Sequence, residues 1–406
     1  MEFLDTLEVI RAEAASVQTL FSKEGNRAPS RRGTPSPEYQ RQLAEAVAFV
    51  ADVMQGRRPV HHLQEALSSS DFPILFGDIL DRQVLAAYRE REGTWAAIAK
   101  RRVVRDFRGV KLFKPLLGLA GTLPAVGELA EYPEDTATEQ ATQTITVAKY
   151  GKRLGLSWES LINDDLDLIK DLPTRMGRMA RRTENYMATR LYASATGPDT
   201  TLYSVGNANI VNTTNAPGMV GADDNPPLSI VALTQGLLVF GNQRDEEGNP
   251  IDHEAVTLVV PPALEVTANN ILNATSIELT TDGGTTSNDA GPVERRLLAA
   301  NWLSRRVRLV VNPLLPLIDT THGNTAWYLF ANPNSDREAL VMAFLRGWED
   351  PAVFMKSPNA TRVGGGTIDP MDGDFDTDSI AYKVRHVLGS AQVDPRATVA
   401  SDGSGS

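Results

Sequence analysis

Two extended arms, at about 103–117 and 142–158, flank a loop rich in glycine, proline and acids. No other feature narrows the fold as much. Hairpin loops ordinarily hold 2–5 residues, and this one holds roughly 20. The second arm alternates partly, with Ile145 and Val147 and then Leu154, Leu156 and Trp158. That is the pattern of a strand with one buried face. The loop and its return carry Glu128, Glu131, Glu134, Asp135 and Glu139. A loop this long in a compact domain ordinarily acts outside that domain.

A strong helical region follows. A first piece at about 159–171 carries Leu161, Ile162, Leu166 and Ile169. Pro173 suits the first turn of a second helix, where its missing N–H costs nothing. That helix, 173–193, places Met176, Met179, Ala180, Thr183, Met187 and Leu191 on one face and Arg175, Arg178, Arg181, Arg182 and Arg190 beside it. At 1.5 Å per residue it would span about 31 Å. A basic strut and an acidic projecting loop in one polypeptide predict self-association, with one copy's loop over the next copy's helix. Such a heterologous contact closes into rings.

The rest of the chain supplies a body for these parts. Amphipathic helices are expected at 2–22 and 38–55, joined by a Pro/Gly/Arg linker at 24–37 that contains Arg31-Arg32. Residues 60–101 read as helical, with breaks at Pro73 and Gly77. Beyond 230 helices and strands alternate: helices at about 229–242 and 263–272, strands at 256–260, 307–311, 326–331, 339–346 and 379–389. The polar run 280–289 is expected as an exposed loop, and the Ser/Gly-rich C-terminus as a disordered tail.

Composition excludes whole classes of chemistry. The chain has no cysteine, so disulfides, thiolate catalysis and Cys-based zinc or iron–sulfur sites are out. No run approaches ~20 apolar residues, so no transmembrane helix is expected. The acidic N-terminus has no signal-peptide pattern. Net charge is −11, unevenly spread. Residues 1–110 hold 16 Lys+Arg against 15 Asp+Glu, and the remainder 24 against 36. A sequence-specific DNA binder ordinarily shows a basic domain. Nucleotide-loop, serine-hydrolase and zinc-protease motifs are absent. The adjacent His61-His62 cannot chelate from one helix face. Asp372, Asp374, Asp376 and Asp378 alternate, but an EF-hand needs Gly and Glu where Ser379 and Arg385 stand. No catalytic, cofactor or metal site is expected.

Four segments carry a family resemblance. They are Ser160-Leu-Ile-Asn-Asp-Asp-Leu166 with Leu172-Pro-Thr-Arg-Met-Gly-Arg-Met-Ala-Arg-Arg-Thr-Glu-Asn185, Leu202-Tyr-Ser-Val-Gly-Asn207, Leu258-Val-Val-Pro-Pro-Ala-Leu-Glu265, and Trp327-Tyr-Leu-Phe-Ala-Asn-Pro333. In this order, over about 145–350, the sequence resembles the Mu-like major head subunit family of tailed bacteriophages. The resemblance implies an α+β Hong Kong 97-type capsid fold, here with an N-terminal helical addition. The expected layout is a helical pair at 1–60, an N-terminal arm at 61–102 and an extended loop at 103–158. A peripheral domain with a spine helix at 159–224 and an axial domain at 225–375 follow. Residues 376–406 would hold a return strand to the peripheral domain and the tail.

The resemblance implies a non-enzymatic major capsid protein that forms hexamers and pentamers of an icosahedral head around double-stranded DNA. Its partners would be further copies of itself, a portal protein, and, where present, a scaffold, a maturation protease and a cement protein. DNA would be enclosed without sequence-specific binding, and no membrane would be involved. It would be a virion component assembled in the host bacterial cytoplasm. The alternative is an encapsulin-type nanocompartment shell. The residues expected between subunits are Glu128, Glu131, Glu134, Asp135 and Glu139 against Arg175, Arg178, Arg181 and Arg182. Some family members lock the shell with a Lys–Asn isopeptide from a loop lysine. No lysine lies between Lys114 and Lys149, so no such cross-link is expected.

Overall fold

The computed structural model describes residues 57, 83–90, 92–113, 125, 126, 128, 141–157, 166–219, 221–245, 248–251, 253, 256–282, 294–335, 337–356 and 375–405. The helices expected at 2–22 and 38–55, the linker between them, His61-His62 and most of the acidic loop lie outside these residues. The described chain is α+β, as expected, with one long helix, two main sheets and three two-stranded ladders.

A helical segment, α1 (83–89), is followed by β1 (Ala99–Val104), β2 (Val110–Phe113), β3 (Ala141–Ile145), β4 (Ala148–Ser157) and α2 (Leu166–Tyr192). Among the described residues the two arms pair with each other through β2 and β3. β1 and β4 pair elsewhere. The reason is competition for backbone partners. β1 finds β12 (Leu340–Leu345) in parallel, and β4 finds β14 (Ser379–Gln392) over ten residue pairs.

β14 is the centre of the first sheet. One edge holds β4. The other edge holds β12 against residues 388–392 and β13 (Ala352–Met355) against 382–385. On one face of β14, His386 meets α2. On the other, Val387 and Ala391 join Val341, Ala343 and Leu345 in a small core with Leu112, Ile145 and Val147. The root of the β2–β3 ribbon is thereby fixed to the sheet.

α2 is a single helix of 27 residues. Pro173 lies inside it, not in its first turn. An interior proline costs about 3 kcal/mol, and burial of Leu172, Met176, Ala180, Ala188 and Tyr192 along one stripe outweighs that. At 1.5 Å per residue the helix is about 40 Å long. A short ladder, β5 (Ala193–Ser194) with β6 (Gly197–Pro198), turns the chain after it.

The second sheet runs β10 (Val307–Val311), β7 (Val256–Val260), β11 (Trp327–Ala331), β15 (Thr398–Ser401). β7 and β10 are parallel; the other pairs are antiparallel. β7 and β11 are buried throughout, as uninterrupted apolar runs should be. α3 (Ile230–Gly241), capped by the Ser229 hydroxyl, packs on this sheet, and α4 (Glu265–Asn273) follows β7. The expected tail is instead a buried edge strand. Thr398 to Ser401 pair with β11, and Gly405 N–H donates to the Asn225 carbonyl. The polar stretch at 280–289 begins as strand, since β8 (Ser276–Asp282) pairs with β9 (Glu294–Ala300).

Candidate functional site

Residues spaced by four along α2 form its buried stripe: Leu172, Met176, Ala180, Glu184, Ala188 and Tyr192. Five of them are what a packed helix face needs. The sixth, Glu184, is a carboxylate with 0% exposure. A charge so placed must be paired and hydrogen-bonded, and Glu184 is. Oε1 accepts from the Tyr88 hydroxyl at 2.5 Å and from His386 Nε2 at 2.7 Å. Oε2 accepts from Trp95 Nε1 at 2.8 Å and from Arg181 Nη1 at 2.7 Å. An ionised carboxylate can only accept, so His386 Nε2 carries the proton, and Nδ1 is a buried atom without a hydrogen-bond partner.

Burial alone pushes Glu184 upward. The His386 hydrogen bond, the Arg181 charge and the Tyr88 hydrogen bond outweigh it, so the group ends below the ordinary carboxylate value. Burial first, then the charge of Glu184 and its hydrogen bond, push Tyr88 far above the ordinary tyrosine value. Each neighbour is held in turn. Arg181 stacks 3.9 Å from the Tyr88 ring centroid and donates from Nε to the Tyr88 carbonyl. Gly177 lets the two segments approach: a Cβ there would lie 2.4 Å from the Val84 carbonyl oxygen.

This arrangement ties three distant parts of the chain together: segment 83–97, α2 and β14. With every donor committed and no solvent access, Glu184 has no lone pair to offer a substrate. Its chemistry is that of a brace. A second tie lies at the C-terminal end of α2. Asn312 Nδ2 donates to Thr189 Oγ1 at 2.8 Å and to Tyr192 Oη at 2.6 Å, joining α2 to the second sheet. Among the described residues no three His, Asp or Glu side chains are grouped to hold a metal ion, and no helix is long and apolar enough to cross a membrane.

The residues expected between subunits are placed as follows. Arg175 and Arg182 are exposed on α2. Arg178 pairs with Glu90 of its own chain at 3.1 Å. Arg181 is turned inward to Glu184 and is the least suited of the four to meet another subunit. Glu128 is exposed. Glu131, Glu134, Asp135 and Glu139 lie outside the described residues. Glu184 itself went unnoticed in the sequence, although its spacing by four from Ala180 and Ala188 was readable.

A family model described as "Phage capsid protein" matches residues 139–401, from just before β3 to the last residue of β15. The match takes in well over half of the chain. The chain belongs to the phage capsid protein family. No curated relative matches it in sequence. Solved structures similar to this capsid protein include a chain of Microbacterium phage Oxtober96, with 10% identity, 76% of this chain and 90% of that one covered, and a TM-score of 0.42. A virus-like particle from Pyrococcus furiosus shares 13% identity over 80% and 98% of the two chains at TM-score 0.39. The holo-SrpI encapsulin complex from Synechococcus elongatus shares 11% over 76% and 87% at 0.41. The family match alone carries the assignment. It begins within the acidic return of the loop, so the tie from Glu184 to Tyr88 and Trp95 reaches from the matched part of the capsid protein into the part before it.

Proposed function

We propose that this chain is a major capsid protein of the Hong Kong 97 type, a structural and not a catalytic component. Hexamers and pentamers of it would build an icosahedral phage head around double-stranded DNA. The observation that carries the reading is the phage capsid match over 139–401, on a chain whose spine helix is braced to both sheets. A shell subunit must carry load between neighbours without deforming, and the ties at Glu184 and Asn312 serve that end. The acidic balance fits an inner wall that does not hold phosphates tightly. A portal, a scaffold, a maturation protease, a cement protein and assembly in the host cytoplasm belong to the same reading.

Electron microscopy of the purified chain tests it. Closed shells, or rings of six and five subunits, are expected. Monodisperse monomers would overturn it. Shells filled with a protein cargo in place of DNA would move the chain to an encapsulin-type compartment.

A further inference from the structure

Where β1 and β12 end, side by side and parallel, each runs on into an arginine. Val104 pairs with Leu345, and the next residues are Arg105 and Arg346. The Arg346 N–H donates to the Val104 carbonyl at 2.8 Å, so the two segments are still in contact there. Neighbouring strands lie about 4.8 Å apart, and like charges held opposite one another across them oppose folding. A third arginine, Arg108, belongs to the exposed bend 105–109 that joins β1 to β2. The bend is fixed in place. Asp106 Oδ1 accepts from the Arg108 backbone N–H at 3.1 Å, and a Cβ on Gly109 would lie 2.5 Å from Thr144 Cγ2 of β3. A fourth arginine, Arg385 of β14, lies 4.4 Å from the ring centroid of Trp348, two residues beyond Arg346. Phe107 and Trp348 are exposed beside these groups. None of the four arginines makes an ion pair with a described residue. Asp350 already holds Arg89 at 3.1 Å, which leaves Asp106 and Glu349 against the four.

We propose that this arginine edge, made by the β1–β2 bend and the β12–β13 turn, touches the phosphates of the double-stranded DNA that the shell encloses. The inference rests on the phage-head reading above and names the residues that meet the DNA. Arginines held together without carboxylate partners weaken the subunit, and a polyanion laid over them offsets that loss. Duplex DNA is the polyanion of that reading, with one charge for about every 1.7 Å of its axis. Guanidinium groups match phosphate oxygens two at a time. Surfaces that meet DNA are far more positively charged than those between proteins, and this edge has that character. Backbone contacts of this kind read no base sequence. Beyond residue 110 the chain holds 24 Lys+Arg against 36 Asp+Glu. That acid excess keeps the hold weak, so a few local contacts seat the duplex without trapping it.

Arginine footprinting with phenylglyoxal, read by mass spectrometry, tests this on emptied shells and on DNA-filled heads. Arg105, Arg108 and Arg346 should react in emptied shells and be protected in filled heads. Equal reaction in both would overturn the proposal and leave the head reading intact. Protection already present in emptied shells, but absent from the unassembled chain, would place a second copy on the edge and overturn it too. Shells that hold a protein cargo in place of DNA would instead sink the head reading itself. As a second measure, the unassembled full-length chain is titrated with a short fluorescent duplex of mixed sequence across a salt series. Four phosphate contacts predict a slope of log K against log salt of about −3.6. Arg105→Gln with Arg108→Gln should bring the slope to about −1.8. Arg305→Gln with Arg306→Gln, an equally exposed pair beside the second sheet, should leave it unchanged. Folded variants, by circular dichroism, whose slope follows the second pair and not the first would count against the contact.

Discussion

The Tyr88 hydroxyl and the Glu184 carboxylate meet at 2.5 Å although 96 residues separate them in sequence. Through this contact the segment ahead of the first sheet is fastened to the spine helix. Removing the carboxylate leaves the Tyr88, Trp95 and His386 donors buried without an acceptor and the Arg181 charge without its partner. Breaking a buried pair from one side costs about 3–5 kcal/mol. Glu184→Ala should lower subunit stability by that amount in calorimetry or denaturant titration. Tyr88→Phe removes one hydrogen bond to a charged group and should cost about 1.5–3 kcal/mol. Equal stability of Glu184→Ala and parent would mean that the brace carries no load.

The same group sets an acid limit. Glu184 has a folded pKa below its unfolded value of about 4.3. Its contribution is therefore complete above that unfolded value and is lost as pH falls through the lower, folded one. Tyr88 is shifted upward, so what it gains from folding is kept below its unfolded value near 10 and lost only at pH well above that. The share of stability owed to Glu184 and Tyr88 should be flat between roughly pH 5 and 9 and fall on the acid side. Glu184→Gln should flatten the acid slope measured by denaturation at a series of pH values. An unchanged slope would place the titrating group elsewhere.

Gly177 makes a sharper test of the approach of α1. In an exposed helix interior Gly→Ala gains about 1 kcal/mol. Here the new methyl would lie 2.4 Å from the Val84 carbonyl oxygen and 3.0 Å from Ala87 Cβ. Overpacking of that kind costs about 1–3 kcal/mol, so the net effect should be destabilising, with faster proteolysis within 83–97. Gly241, at the end of α3, has no atom within 4 Å of its would-be Cβ. Gly241→Ala should stabilise by about 0.4–1 kcal/mol.

What was legible follows from how local each signal is. β7 and β10 fall where the apolar runs 256–260 and 307–311 place them, because a buried strand is written in contiguous residues. α3 follows from Ser229 and the apolar run behind it. Partner choice is not written locally. Nothing near Ala99 announces that Leu340 is its parallel neighbour, 241 positions away. Pro173 read as a helix start because its local preference is for the first turn, and the burial of Met176 and Ala180 that overrides it is tertiary. Thr398-Val-Ala-Ser401 read as tail because four residues carry little periodic signal; β11 gives them their conformation. Of the expected interface, the sequence named Arg181 for its charge but not its direction. The contact with Glu184 turns it inward.

The absence of cations from 115–148 has a covalent consequence. An isopeptide needs a lysine amine delivered to a partner side chain. Lys111 sits on β2, at the root of the ribbon, and Lys149 and Lys152 sit on β4, paired to β14. Backbone pairing holds these positions to the body of the subunit, so none can be carried out to a neighbour by the loop. Boiled shells on a denaturing gel should run as monomers of 44.1 kDa or of a trimmed length, with no ladder of covalent multimers. Moving shells into high salt should then matter more than for a cross-linked head. Exposed charge pairs weaken as the Debye length shrinks to about 3 Å at 1 M salt, and no covalent bond remains to hold the subunits. Dissociation followed by light scattering across a salt series should rise steeply. A covalent ladder, or shells indifferent to salt, would show that something other than these pairs holds the lattice.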